Sequence, residues 1–169
     1  KSELFGQGFE NQKVTYDLVA KSLQPNETAI EMVRYRYFDQ VYTDSVIYAA
    51  LYVKRDMARP KPIILHDGQK MESRYFKFYR NAITGKIHDN VSHDIFWAPI
   101  AKEIGLASKI YLSADGVYNQ INLEAIPTPD GKYVIDNANI VLVSNTRDIY
   151  FNNNKTQKIT ATEKTASLF

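Results

Sequence analysis

The stretch from Lys109 to Thr146 constrains the fold of this chain more than any other part of it. It reads KIYLSADGVYNQINLEAIPTPDGKYVIDNANIVLVSNT, which predicts a strand, an Asp-Gly turn, a short helical segment, a second turn and another strand. The first strand is predicted at Lys109–Ala114, and the apolar run Ile140–Val143 is typical of a parallel strand that is covered on both faces. Residues 129–131 (Pro-Asp-Gly) predict a tight turn, because proline presets φ and glycine tolerates positive φ.

Three further strands are predicted in the first half of the chain, at residues 33–37, Val46–Val53 and Pro62–Leu65. In the first, Val33, Tyr35 and Tyr37 alternate with two arginines, which predicts one packed face and one solvated face. The second is apolar on both faces, as expected of an interior strand. The polar residues 38–45 between these two strands predict a connection that makes them antiparallel neighbours.

Helices are predicted at Asn11–Leu23, from Met71 to about Gly85 and at residues 92–104. Ser92 is expected to cap the third helix, and Pro99 should kink that helix or start it afresh. From Phe151 onward the chain is polar and without period, which predicts a linker or loose loop with a possible strand at Lys158–Ala161. Antiparallel strands followed by strand–helix alternation predict an α/β domain with a mixed sheet and flanking helices.

Composition excludes several classes of function. The chain has 21 Lys and Arg against 19 Asp and Glu, and the net charge of +2 is too small for a nucleic-acid footprint. No apolar run approaches the roughly 20 residues that a membrane helix requires. The chain has no cysteine, which excludes disulfides and thiolate metal sites and fits a reducing compartment, with the cytoplasm favoured. We therefore expect no nucleic-acid partner and no membrane partner.

The three histidines, His66, His88 and His93, do not form a recognisable site. His88 and His93 each precede an aspartate, but their separation of five residues does not place two imidazoles on one helix face as a separation of four would. His66 precedes an Asp-Gly turn, so a loop position is favoured over a catalytic base. No phosphate-binding loop or Gly-x-Ser-x-Gly elbow is present. We predict no metal site and no cofactor.

Seven short blocks of the chain are informative in combination. They read LQPNETAIEMVRYR, IYAALYVK, PIILHDGQKME, YRNAI, FWAPI, IYLSADGVYNQINLEAI and VLVSNTRDI. Together they resemble the amino-terminal part of a CHAT domain, a bacterial branch of the caspase-like cysteine peptidases that usually follows helical tetratricopeptide repeats. The resemblance extends over about residues 14–149 and is strongest from Tyr111 to Ile126. It implies a partial caspase-like α/β sandwich.

The resemblance also implies a reaction for the complete domain. In this family a thiolate attacks a peptide carbonyl, a neighbouring imidazole accepts and returns the proton, and backbone amides hold the oxyanion. The family's histidine, in a His-Gly motif, and its cysteine end two strands that lie carboxy-terminal to the part matched here. This chain has neither a His-Gly motif nor a cysteine, so we expect it to be inactive alone.

The resulting hypothesis divides the chain into three parts. Residues 1–13 would be a linker from a preceding region, residues 14–150 the amino-terminal part of a CHAT domain, and residues 151–169 a polar linker to a missing catalytic half. Both ends suggest excision from a longer parent. That parent would be a cysteine endopeptidase acting on a peptide or protein substrate, with a tetratricopeptide-repeat region as its partner in cis. The alternative is a non-catalytic interaction or sensor scaffold with a decayed peptidase fold.

Asp115 is the candidate site residue. It follows a predicted buried strand and precedes Gly116, at the strand end where α/β proteins place functional side chains. The resemblance implies that it lines the substrate cleft and meets a basic side chain of the substrate. An aspartyl-nucleophile phosphatase would need a second acid two residues on, where Val117 stands. The favoured interpretation is structural, with Asp115 capping the turn and accepting hydrogen bonds from backbone amides.

Overall fold

The computed structural model describes the backbone of residues 13–162 and the side chains of residues 13–154. Over this range the chain forms a five-stranded sheet with the order β3-β2-β1-β4-β5. The strands are β1 (Glu27–Asp39), β2 (Val41–Lys54), β3 (Lys61–Leu65), β4 (Lys109–Ser113) and β5 (Ile140–Val143). The pairs β1–β2 and β2–β3 are antiparallel, whereas β1–β4 and β4–β5 are parallel. The predicted α/β fold with a mixed sheet and flanking helices is confirmed.

Four helices within residues 13–162 accompany the sheet. They are α1 (Tyr16–Ser22), α2 (Gly68–Lys70, the π-helical turn Met71–Tyr75 and Phe76–Gly85), α3 (the π-helical turn His93–Trp97 and Ala98–Ile104) and α4 (Arg147–Thr162). Three short 3₁₀ turns follow β4, at Gly116–Asn119, Leu123–Ala125 and Val134–Asp136. No helix in this described part of the chain is long and apolar enough to cross a membrane.

The two faces of the sheet carry two separate hydrophobic cores. In the larger core, the sheet residues Ile30 and Tyr48 are buried with Phe96 and Ile100 of α3. In the smaller core, sheet residues pack against α1 and α4, and the buried members are Val19, Ala20, Leu23, Ala29, Val53 and Ile149. Successive strand residues point to opposite faces, so Ala29 and Ile30 belong to different cores.

Several predicted elements are confirmed. The interior strand at Val46–Val53 lies within β2, the strand at Pro62–Leu65 lies within β3, and β1 and β2 are antiparallel neighbours. The first predicted helix is shorter than expected, since α1 begins at Tyr16; residues 11 and 12 of that prediction lie outside the described residues. The predicted turn at residues 129–131 is present, with Gly131 at a φ of 82°.

The predicted packed face of β1 is wrong. Val33, Tyr35 and Tyr37 are 36%, 40% and 50% exposed, whereas the alternate side chain Met32 is buried and Arg34 faces α2. The packed face of β1 is the one that α2 and α3 cover, since Met32 belongs to the same core as Met71 and Ile100. Glu72 of α2 forms an ion pair with Arg34, which allows a charged side chain to occupy the packed side of the strand.

Two predictions near the carboxyl end of the described chain are also wrong. Ile140–Val143 is not covered on both faces, because β5 is an edge strand of the described sheet and Leu142 is 70% exposed. The expected loop from Phe151, with a strand at Lys158–Ala161, is part of the helix α4 up to Thr162. The rest of that predicted linker, residues 163–169, lies outside the described residues, as do residues 1–12 of the predicted amino-terminal linker. Buried Ile149 anchors that helix to the smaller core. One fully buried side chain among the described residues 147–154 gives too little periodicity for the sequence to indicate a helix.

Two local predictions need correction as well. Residues 38–45 are not a polar connection, since β1 and β2 continue to a tight turn at Gln40, which has a φ of 58°. Ser92 does not cap α3. Asp89 does so instead, because its Oδ1 accepts hydrogen bonds from the backbone amides of Val91 (3.1 Å) and Ser92 (2.9 Å). The prediction for Pro99 is confirmed, because a new α-helical segment starts at Ala98.

Candidate functional site

Asp115 lies at the carboxyl end of β4 and connects two parts of the fold. Its Oδ1 accepts a hydrogen bond from the backbone amide of Gly116 at 2.7 Å and caps the 3₁₀ turn Gly116–Asn119. Its Oδ2 accepts a hydrogen bond from the backbone amide of Arg34 at 2.8 Å. The predicted capping of the turn is confirmed, and the bond to Arg34, which was not predicted, also fixes that turn to the neighbouring strand β1.

Tyr48 supports the same turn from β2, the strand between β3 and β1. Its side chain is buried, and its hydroxyl accepts a hydrogen bond from the backbone amide of Val117 at 2.8 Å. The hydroxyl in turn donates to Glu72 Oε1 at 2.6 Å. Burial and the hydrogen bond to Glu72 raise the pKa of Tyr48 above its ordinary value, so the hydroxyl keeps its proton.

Glu72 completes the network from the π-helical turn of α2. Its carboxylate accepts two hydrogen bonds from the Arg34 guanidinium, one from Nε and one from Nη2, the latter at 2.8 Å. This bidentate geometry is typical of strong Arg–carboxylate pairs. The hydrogen bond from Arg34 lowers the pKa of Glu72 below its ordinary value of 4.5, and the bond from Tyr48 acts in the same direction. We call Arg34, Tyr48, Glu72 and Asp115 the turn network.

Gly116 is required where the turn network meets the backbone. Its φ of 55° lies in the left-handed region that disfavours other residues. A Cβ atom at this position would lie 2.1 Å from the Tyr48 hydroxyl and 2.8 Å from Arg34 Cδ. Only glycine allows these two side chains to approach the turn so closely.

A second set of polar contacts joins β1 to the carboxyl end of β4 and to the segment that follows β5. Glu31 Oε1 accepts a hydrogen bond from the Ser113 hydroxyl at 2.6 Å, and Glu31 Oε2 accepts one from the backbone amide of Thr146 at 3.1 Å. These contacts join β1, the last residue of β4 and the segment after β5. The carboxyl ends of the parallel strands β4 and β5 are thereby held together at one edge of the sheet.

The histidines lie outside this site. His66 and His88 are exposed, and His93 Nδ1 lies 3.1 Å from the carboxylate of its sequence neighbour Asp94. Among the residues that the structure describes, no group of three or more His, Cys, Asp or Glu side chains could hold a metal ion. Asp115 is therefore the only one of these sequence candidates that belongs to the turn network.

Sequence reasoning missed the other three members of the turn network. Alternation along β1 predicted a solvated face for Arg34, Tyr48 lay within a strand predicted to be apolar, and nothing was predicted for Glu72. The available signal was the opposite charge of Arg34 and Glu72, which allows them to form an ion pair. Local periodicity alone predicts that charged side chains face solvent. Their pairing joins residues 38 positions apart, so periodicity within either element does not reveal it.

The arrangement presents a fixed carboxylate, and it contains no thiol. Asp115 is half-buried, and each carboxylate oxygen accepts one of the two hydrogen bonds that it can take. Glu72 offsets the charge of Arg34, so the turn network carries a net negative charge. A cationic or amide donor that approaches the carboxyl ends of the strands would therefore meet an oriented carboxylate.

Replacing Asp115 tests its structural role. Asp115→Ala leaves two backbone amides without their acceptor, so we expect the free energy of unfolding to fall by about 1–3 kcal/mol. Asp115→Asn keeps one acceptor oxygen and should lose less. Urea unfolding of the three proteins gives the comparison, with the exposed Asp44→Ala as the control. Equal stability of wild type and Asp115→Ala would contradict the role described here.

Replacing Glu72 tests the charged part of the turn network. Its pKa is lowered in the folded state, so its contribution to stability is present above pH 4.5 and is lost as pH falls through the folded-state pKa. We expect Glu72→Gln to reduce the free energy of unfolding at pH 7 by about 1–3 kcal/mol. The difference from wild type should narrow below pH 4.5.

Urea unfolding from pH 7 to pH 3 measures this dependence, and Glu103→Gln, on an exposed position of α3, is the matched control. A difference between wild type and Glu72→Gln that stays constant over that pH range would show that the charge of Glu72 is not what stabilises the network.

Comparison with known proteins adds no relative to this description. The chain matches no protein-family model, no curated protein and no solved structure. The α/β sheet, the turn network and the joined ends of β4 and β5 are therefore the observations that bear on its function.

Proposed function

We propose that this chain is the amino-terminal part of a CHAT-type, caspase-like domain and forms one wall of its substrate cleft. The placement of Asp115 carries the proposal. It lies at the carboxyl end of β4, between the parallel neighbours β1 and β5, and α/β sheets bind their ligands at that end of their strands. The blocks of sequence that resemble the family include this strand and its Asp-Gly turn.

The chemistry of the turn network supports a basic side chain in the substrate. Lysine and arginine donate hydrogen bonds, and Asp115 has an open acceptor position on each oxygen. The two backbone amides already bound by Asp115 fix the direction of its carboxylate. A fixed carboxylate loses little conformational freedom on binding, which favours recognition of one substrate side chain.

The bond-breaking groups would come from the parent protein. A thiolate would attack the peptide carbonyl, and a histidine would transfer its proton to the leaving amine. The 169 residues contain no cysteine, so this chain would contribute support and substrate recognition. We also propose that the parent protein contains a tetratricopeptide-repeat region, which is the partner of this domain in cis.

The test is made on the parent protein. We expect the gene to encode a His-Gly motif and, one strand later, a cysteine after Phe169. The purified parent should cleave fluorogenic peptides with lysine or arginine before the scissile bond, and replacement of its cysteine by alanine should abolish cleavage. Asp115→Asn should lower kcat/KM for basic peptides by roughly tenfold or more relative to neutral ones. The exposed Asp44→Asn is the control.

Three results would contradict the proposal. If the parent contains further strands after Phe169 but lacks the histidine and the cysteine, it would be a non-catalytic scaffold, which is the alternative function. A parent with the dyad that cleaves no peptide would exclude the endopeptidase activity. Magnesium-dependent hydrolysis of p-nitrophenyl phosphate by the 169-residue chain, lost in Asp115→Asn, would instead indicate a phosphate-handling enzyme.

A further inference from the structure

The strand β1 continues beyond the strand β4 that flanks it. β4 pairs with β1 only as far as Ser113, which lies opposite Glu31, whereas β1 extends to Asp39. The further residues 32–39 cover roughly 25 Å at the rise of an extended strand. On the β4 side of β1, residues 34–38 have no strand beside them among the residues that the structure describes. We call residues 34–38 the open edge.

The backbone groups of alternate residues in the open edge point away from β2. Just before β1, the carbonyl of Asn26 accepts a hydrogen bond from the amide of Ser108 on the β4 side. Farther along, the amide of Arg34 donates to Asp115 on that same side. Residues two apart in a strand direct their amides and carbonyls to one side, so those of Arg36 point there too. Among the described residues, no hydrogen bond outside the strand ladders reaches either backbone group of Arg36.

The segments that follow β4 and β5 diverge beside the open edge. After β4 the chain turns toward the larger core, where Val117 and Tyr118 are buried. After β5, the amide of Thr146 donates to Glu31, whose side chain lies on the same face of β1 as Ala29 of the smaller core. The two segments therefore leave the sheet on opposite faces. In α/β sheets, such a divergence at the carboxyl ends of strands opens a crevice in which ligands bind.

Asp115 lies at the corner between the end of β4 and the open edge. Its Oδ2 accepts the hydrogen bond from the amide of Arg34 at 2.8 Å, so the carboxylate is fixed directly beside the first residue of the open edge. Each of its oxygens can accept one more hydrogen bond. A cationic side chain on a segment that lies along the open edge is therefore within reach of an oriented carboxylate.

The side chains of the open edge suit an extended segment as well. Tyr35 and Tyr37 project from one face of β1 and are 40% and 50% exposed. Aromatic side chains pair well with β-branched side chains across neighbouring strands. When a peptide adds to the edge of a sheet, main-chain hydrogen bonds give affinity and contacts with alternate side chains give specificity. The open edge offers both kinds of contact next to Asp115.

We propose that the open edge binds an extended peptide segment by strand addition, with a lysine or arginine of the segment at Asp115. The main chain of the segment pairs with the amide and carbonyl of Arg36, and its β-branched side chains pack beside Tyr35 and Tyr37. This inference rests on the proposed function, which assigns Asp115 to a basic side chain of the substrate. It adds the path that the main chain of the substrate follows.

The test is an NMR titration of the isotope-labelled chain of 169 residues. The probe is the peptide acetyl-Thr-Val-Lys-Val-Thr-amide, and a second peptide has glutamate in place of the lysine. Arg36→Pro removes the outward amide proton and leaves the ladder with β2, because proline is tolerated where a strand amide faces solvent. Arg36→Thr is the matched control, since it removes the same side chain and keeps the amide. A probe peptide with methylated backbone nitrogens tests the same hydrogen bonds without changing the protein.

We expect the lysine peptide to shift the amide signals of the open edge and of Gly116 in a saturable way. Arg36→Pro should bind it roughly tenfold or more weakly than Arg36→Thr, because a main-chain hydrogen bond is lost and the proline ring occupies the edge. The methylated peptide should bind wild type more weakly by a similar factor. The glutamate peptide should bind wild type roughly tenfold more weakly than the lysine peptide, and Asp115→Asn should remove most of that preference.

Equal affinity of Arg36→Pro and Arg36→Thr for the lysine peptide, or no shift of the open-edge signals at millimolar peptide, would overturn the inference. Slow hydrogen exchange of the Arg36 amide in the free chain would also overturn it, because another segment or a second copy would then occupy the edge. The proposed function fails separately. A parent without the cysteine and histidine would exclude the peptidase and leave this binding in place. A parent that cleaves basic peptides with the same KM in Arg36→Pro and Arg36→Thr would keep the peptidase and exclude strand addition.

Discussion

The hydroxyl of Tyr48 is the interaction on which the site depends. It is buried on the interior strand β2, and a buried hydroxyl requires partners for its proton and its oxygen. Glu72 accepts its proton from the helix side, and the amide of Val117 donates to its oxygen from the turn after β4. One side chain thus fixes the distance between the sheet, the helix α2 and the turn that contains Asp115.

This constraint explains other local features. Glu72 lies in a π-helical turn, a local widening of the helix that often marks functional sites. Arg34 can point toward the packed side of β1 because Glu72 binds its guanidinium group. Gly116 allows the turn to approach both side chains without a steric conflict. The result is a carboxylate, Asp115, whose direction is fixed by backbone amides on two elements.

The sequence predicted the elements of the fold better than their environments. The position of β4, the turn at Gly131 and the antiparallel pair β1–β2 follow from local chemistry, such as apolar runs and turn residues. The exposure of Tyr35 and Leu142 depends on which elements cover a face, and periodicity within one strand does not contain that information. Likewise, the role of Asp115 as a cap follows from its position before Gly116, whereas its bond to the amide of Arg34 joins residues 81 positions apart.

Amide hydrogen exchange at Val117 tests the account most directly. If the Tyr48 hydroxyl holds the turn, Tyr48→Phe should speed exchange of the Val117 amide by about fivefold or more, since a lost hydrogen bond of about 1 kcal/mol gives that change. The amide of Asn122, which donates to the Tyr79 hydroxyl, provides the internal reference, and Tyr79→Phe should show the reverse pattern. Equal acceleration of both amides, or no change at Val117, would contradict the central role of Tyr48.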